Sequence, residues 1–176
     1  MRNLFVIILF SIFTIGCNNS VEKNNDQAAV QDTTTTYYLI RHAEKDRSDP
    51  EERNPKLNEE GIERAQRWAQ YFENIAIDQI FSTDYSRTMQ TAAYTATQKQ
   101  VDIQLYDPSN LYDVEFKTLT EGHNVLIVGH SNTTPQFVNA IIGEDKYVDI
   151  PDDENGMLFM VTVTGDSKNV QIFTVD

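Results

Sequence analysis

From Tyr37 onward, short apolar runs alternate with stretches in which apolar residues recur every three or four positions. Residues 37–40 read as a β-type run, followed by a polar segment containing Pro50 and Pro55. Residues 57–72 then place Ile62, Ala65, Ala69 and Phe72 at helical spacing. The pattern predicts a second strand at 76–81, a helix at 85–98, a third strand at 101–105 and a helix at 109–121. Residues 124–128 are a continuous apolar run, as in strands covered on both faces of a parallel sheet. Thr134 predicts an N-cap, with Pro135 at the first helical position and Gly143 closing the segment. Two final runs, 157–163 and 170–175, flank Thr-Gly-Asp-Ser-Lys-Asn and predict a hairpin. Strands alternating with helices predict an α/β domain of three layers, α/β/α, on a mostly parallel sheet with antiparallel character near the C-terminus. The aromatic set Tyr37, Tyr38, Trp68, Tyr71 and Phe72 reads as core and rim packing. Residues 44–56 form the longest polar insertion, a candidate lid or specificity loop.

The first 36 residues follow another pattern. Arg2 precedes an apolar run from Leu4 to Ile15, with Gly16 just before Cys17. That layout predicts a signal peptide over 1–16, since the run is shorter than the ~20 residues a spanning helix needs. Thr14-Ile15-Gly16-Cys17 resembles the lipobox of bacterial lipoproteins, which implies diacylation of Cys17. Two acyl chains give stable membrane attachment without a basic patch. Residues 17–36 are polar and lack apolar periodicity, as expected of a lipidated, flexible tether. The expected location is therefore outside the cytoplasm, in the periplasm or at the outer membrane, with residues 37–176 as the folded domain.

Composition narrows the classes. With 14 basic and 27 acidic residues the formal charge is -13, which repels nucleic acid and anionic headgroups. One cysteine excludes an intramolecular disulfide and a cysteine-based zinc site. The chain holds only three histidines. Two of them follow predicted strands, at the carboxyl ends where open α/β sheets bind ligands. The first strand runs into Arg41-His42-Ala43-Glu44-Lys45 and the fourth into Gly129-His130-Ser131-Asn132, while Ser82 and Thr83 follow the second, with Arg87 and Thr91 on the next helix.

At these residues the chain resembles the histidine phosphatase superfamily, the phosphoglycerate-mutase-like enzymes. The segments that carry the resemblance are Leu39 to Lys45, Leu57 to Gly61, Phe81 to Ala92 and Val128 to Ser131, in the family's order. The resemblance implies that His42 is the nucleophile, accepting the phosphoryl group on a ring nitrogen. Arg41 and Arg87, helped by His130, would keep His42 neutral and hold the phosphoryl oxygens, with Ser131 as a further phosphate contact. Such a cluster of cations needs no metal or other cofactor. A leaving group needs a proton, and the acid is left open among Asp107, Asp113 and Glu115. Asp107, directly after the third strand, is favoured.

The resulting expectation is a metal-independent phosphomonoester hydrolase acting on a small phosphorylated substrate and tethered to a membrane by its N-terminal lipid. The alternatives are a catalytically inactive phosphate-binding lipoprotein and a protein phosphohistidine phosphatase. His123 is given no role, Lys45 reads as a solvated loop lysine, and the run Asp152-Asp153-Glu154 as a solvated turn.

Overall fold

The computed structural model describes residues 33–176. The signal peptide, Cys17 and all but the last residues of the tether lie outside the described residues. Six strands form one sheet in the order β3-β2-β4-β1-β5-β6. In chain order the elements are β1 (Thr34–Arg41), α1 (Glu59–Tyr71), β2 (Gln79–Ser82), α2 (Ser86–Lys99), β3 (Ile103–Leu105), α3 (Val114–Thr120), β4 (Asn124–Gly129), α4 (Thr133–Ile142), β5 (Met157–Thr164) and β6 (Ser167–Thr174). Strands β1, β4, β2 and β3 are parallel neighbours, and β5 and β6 add an antiparallel ribbon beside β1. The expected α/β/α sheet with an antiparallel C-terminal hairpin is thus the fold observed.

Alternation along the strands divides the core in two. Tyr37, Leu39, Val125 and Ile127 pack on Phe137, Val138 and Ile141 of α4 and on Phe116 of α3. Tyr38, Ile40, Leu126 and Val128 face the other way, onto Trp68 of α1, its capping residue Phe72, and Ala92 and Ala96 of α2. The apolar run of β4 is continuous because both faces are covered, each fully buried Leu or Ile contributing about 1.5–3 kcal/mol.

Several local expectations are corrected. β1 starts at Thr34, so threonines read as tether pair with β5, Thr34 opposite Thr164. In α1 the buried stripe is Gly61, Ala65, Trp68 and Ala69, while Ile62 is 39% exposed. Trp68, fully buried as expected of the aromatic set, is the largest side chain of that stripe. The helix expected over 109–121 is confined to α3, because Asp113 caps it: its carboxylate accepts the Phe116 N–H at 2.7 Å. Asn132, not Thr134, precedes α4, and Pro135 is its third residue. The Thr134 hydroxyl instead bonds the Ile40 carbonyl at 3.3 Å, tying α4 to β1. Between β5 and β6 the pairing continues to Thr164 and Ser167, leaving a two-residue turn at Gly165, whose φ of +55° suits such hairpins.

The chain after β1 is clamped against α1. Asn58 caps α1 by accepting the Gly61 N–H at 2.8 Å, and its own N–H donates to the Glu44 carbonyl at 3.0 Å. Gly61 lies so close to that carbonyl that a Cβ there would overlap it. Gly61→Ala should therefore cost about 1–3 kcal/mol through forced displacement, despite alanine's ~1 kcal/mol advantage in helix propensity. A urea denaturation midpoint at or above that of the parent would show that the clamp is looser than described.

Candidate active site

Register assembles the site. Arg41 pairs with Gly129 across β1 and β4, and Ser82 with Val128 across β2 and β4. The residues that follow, His42, His130 and Thr83, thus leave the same edge of the sheet. The His42 N–H continues the ladder by donating to Gly129 O at 2.9 Å. Gly129 is needed there, since a Cβ would press on Tyr106 Oη and the hydroxyls of Thr133 and Thr134 at 2.8–3.0 Å. Arg87, on the first turn of α2, completes the group.

The imidazoles of His42 and His130 are 5.5 Å apart, centroid to centroid, at 70°. His42 is 5% exposed, and its Nδ1 lies 2.7 Å from the Ala43 carbonyl. A carbonyl can only accept, so Nδ1 carries the hydrogen and Nε2 keeps its lone pair. Ala43 is itself held through its N–H, which donates to Thr91 Oγ1 at 2.9 Å. Burial, with Arg41, Arg87 and His130 nearby, lowers the His42 pKa to about 3 against the opposing effect of the Ala43 bond. A neutral nucleophilic imidazole follows.

His130 is neutral for the same reasons. Burial first, then Arg87, Arg41 and Lys45, bring its pKa down to about 4. Arg87 Nη2 lies 3.3 Å from His130 Nδ1 and can only donate, so Nε2 holds the proton. Nε2 donates to Thr83 Oγ1 at 2.9 Å, and Thr83 Oγ1 is 3.0 Å from Thr88 Oγ1. The Thr88 hydroxyl in turn donates to the carbonyls of Thr83 and Tyr85, each at 2.9 Å. Both threonines are fully buried.

The guanidinium groups are held by their backs. Arg41, 2% exposed, donates from Nη1 to Pro151 O at 2.8 Å and from Nη2 to Asp152 Oδ1 at 2.7 Å. Arg87 stacks on Tyr85 with Cζ 4.4 Å from the ring centre. Arg41 Nε, Arg87 Nε and Arg87 Nη1 are buried N–H donors with no partner among the described residues. Buried donors left unmatched cost about 1–3 kcal/mol each, so three beside one imidazole form a site suited to an anion. A cavity of about 290 Å³ opens onto Arg41, His42, Lys45, Arg47, Glu60 and Asp152.

Arg41, His42, Arg87 and His130 are therefore brought together as expected. Ser131 is next to His130 at the head of α4, half-buried, with its carbonyl bonded to the Ile150 N–H at 2.8 Å. No hydrogen bond links it to Arg41, His42 or Arg87. Asp107 does not line the cavity at His42. Its exposed carboxylate accepts the Ser109 N–H and hydroxyl at 2.8 and 2.7 Å, which lowers its pKa, and it lines a separate 240 Å³ cavity with Tyr106, Asp113 and Glu115. The residue that β3 sends toward the site is Tyr106, whose hydroxyl approaches Gly129. Asp113 is occupied as the α3 cap.

The acidic run before β5 is also corrected. Asp152 bridges Arg41 and Arg47, both at 2.7 Å. The signal for it is topological: β5 is antiparallel to β1, so its N-terminal end lies beside the C-terminal end of β1, where Leu158 pairs with Ile40. Glu44, bonded to Arg64 at 2.6 Å, and the Thr83–Thr88 pair were likewise missed.

The model of the histidine phosphatase superfamily, branch 1, matches residues 37–120, which include Arg41, His42 and Arg87. No curated protein matches the chain. Among solved structures, a protein of Agrobacterium tumefaciens proposed to be the phosphohistidine phosphatase SixA is 25% identical, with a TM-score of 0.59 over 80% of this chain and 98% of its own. Phosphoglycerate mutase from Bacillus anthracis str. Sterne is 13% identical, with a TM-score of 0.61 over 81% of this chain and 94% of its own. A mycobacterial glucosyl-3-phosphoglycerate phosphatase complexed with VO3 is 11% identical, with a TM-score of 0.62 over 81% of this chain and all of its own. The last two bear on the fold alone.

Two measurements probe this geometry. Long-range ¹H–¹⁵N spectra should find the His130 proton on Nε2, both tautomers populated in Thr83→Val, and the parent pattern restored in Thr83→Ser. A parent proton on Nδ1 would contradict the donor chain. Secondly, an unfolded chain protonates these histidines near pH 6.5, whereas the folded one waits until about 4 and 3. The unfolded state binds the extra protons in that window, so stability should fall as pH drops from 6.5 toward 4. The slope of urea midpoint against pH should be shallower in His130→Gln.

Proposed function

Since the model of the histidine phosphatase superfamily matches residues 37–120 and the chain has the phosphoglycerate-mutase-like fold, we propose that it is a member of that superfamily, a metal-independent phosphomonoester hydrolase working through a phosphohistidine on His42. The observation that carries this reading is the neutral His42 imidazole grouped with His130, Arg41 and Arg87, whose guanidiniums hold three buried N–H donors unmatched among the described residues. In the first step Nε2 attacks phosphorus in line with the ester oxygen, and the two guanidiniums hold the non-bridging oxygens. In the second, water displaces His42 and orthophosphate leaves. Phosphoryl transfer rests largely on such positioning and charge stabilisation.

Local charge outweighs the acidic whole. A phosphoryl oxygen about 4 Å from a guanidinium gains ~4 kcal/mol at an effective dielectric of 20, whereas exposed carboxylates beyond ~10 Å are screened at physiological salt. The same reading places the enzyme outside the cytoplasm, held by lipid on Cys17 and acting on a small phosphorylated substrate. It rests on the order of Arg2, the apolar run, Gly16 and Cys17 in the sequence.

A second reading, hydrolysis of phosphohistidine in proteins, is favoured by the 25% identity to the Agrobacterium protein across nearly its whole length. It shares the nucleophile and differs in the bond broken, P–N rather than P–O. The relative kcat/KM for a phosphohistidine-bearing protein and for alkyl phosphates separates the two.

With p-nitrophenyl phosphate and EDTA, the protein should turn over and His42→Ala should lose about 10³-fold or more. Acid quench should trap label on His42. Equal turnover by both proteins removes the reading. Cys17→Ser should move the protein from the membrane fraction to the soluble fraction, and retention on the membrane would argue for an uncleaved anchor.

A further inference from the structure

A phosphate ester of an ordinary alcohol does not release its alkoxide unprotonated, so the site needs a proton donor near the departing oxygen. The carboxylates are poorly placed for this. Asp107, Asp113 and Glu115 belong to another cavity, Glu44 is paired with Arg64, and Asp152 is paired with both Arg41 and Arg47. Of the carboxylates lining the cavity at His42, Glu60 alone has no cation partner among the described residues, and it is exposed.

Lys45 is placed differently. Its backbone bridges antiparallel to Leu57, and the next N–H, of Asp46, donates to Lys56 O at 2.8 Å. With Ala43 fixed on Thr91 and the Glu44 carbonyl on Asn58, the chain from His42 to Lys45 is pinned at every step. The Lys45 side chain lines the cavity that holds Arg41 and His42, is half-buried, and forms no ion pair among the described residues. A lysine without an ion pair among the described residues thus lines the cavity three residues beyond His42.

We propose that Lys45 is a catalytic residue that protonates the leaving oxygen. This inference rests on the phosphatase reading above. In the first step the Nε2–P bond forms, the P–O ester bond breaks, and the alkoxide takes a proton from Lys45 Nζ and departs as the alcohol. In the second, the attacking water gives a proton to the neutral Lys45 amine as the P–Nε2 bond breaks. His42, the ammonium and orthophosphate result, so protons balance over the cycle.

The surroundings favour this role. Burial lowers the Lys45 pKa first, then Arg47 and Arg87, with Asp152 opposing and Arg41 adding to the fall. These groups face it from β1, its own loop, α2 and the segment before β5, with Glu60 on α1 and His130 across the site. The ammonium consequently yields its proton more readily than an ordinary lysine.

The test is the dependence on leaving group, using an alkyl phosphate such as glycerol 2-phosphate against p-nitrophenyl phosphate, whose leaving group needs no proton. In Lys45→Met the ratio of alkyl to nitrophenyl turnover should drop about 100-fold or more. Lys45→Arg keeps charge and length but cannot release a proton, so it should leave that ratio low. The parent should show an alkaline decline in alkyl ester turnover, and Lys45→Arg should abolish it. Equal losses on both esters would make Lys45 a phosphate contact and overturn the proposal, as would recovery in Lys45→Arg or a ratio lost in Glu60→Gln instead. Trapped phosphohistidine on His42 in Lys45→Met keeps this question separate from the nucleophile's identity.

Discussion

The site depends on the alignment of three parallel strands. With Arg41 opposite Gly129 and Ser82 opposite Val128, the chain leaves β1, β4 and β2 at one level, and His42, His130 and Thr83 meet there. A slip of one residue would reverse every side chain, sending Leu39 and Ile40 to the wrong cores and Arg41 out of reach of Asp152. The same burial of alternate residues that stabilises the sheet therefore determines the geometry of the imidazole pair.

Within that frame the protein has to hold two guanidiniums in a nearly dry position without neutralising them toward substrate. Arg41 is tied to Pro151 and Asp152 while its buried Nε has no partner among the described residues, and Arg87 is supported by the Tyr85 ring. Aromatic stacking supports a cation without occupying its N–H groups. Burial first, and these cations with it, keeps both histidines uncharged, which suits one as nucleophile. The threonine pair behind His130 then decides which of its nitrogens faces Arg87.

Asp152 links this chemistry to the loop at 44–56. One carboxylate joins Arg41, which is part of the sheet, to Arg47, which is part of the loop. Because Asp152 is largely exposed, the bridge is weak, of the order of 1 kcal/mol or less per contact. It orders the loop entrance without locking it.

The one-dimensional pattern determined the layer architecture, the strands that carry His42 and His130, and the positions of Arg41 and Arg87, because these follow from residues close together in the chain: apolar period, strand end, helix start. It also favoured as the acid Asp107, which lines a different cavity from His42, and overlooked Asp152. Asp107 directly follows a strand, but local hydrogen bonds to Ser109 turn its carboxylate outward, and Tyr106 takes the inward direction. Asp152 is 111 residues from Arg41 in sequence and reaches it only because β5 runs against β1. Ile62 lies off the buried stripe because helical spacing identifies a face but not which edge of it meets the sheet. Contacts made by strand direction and helix rotation are decided in three dimensions, where long-range packing outweighs local preference.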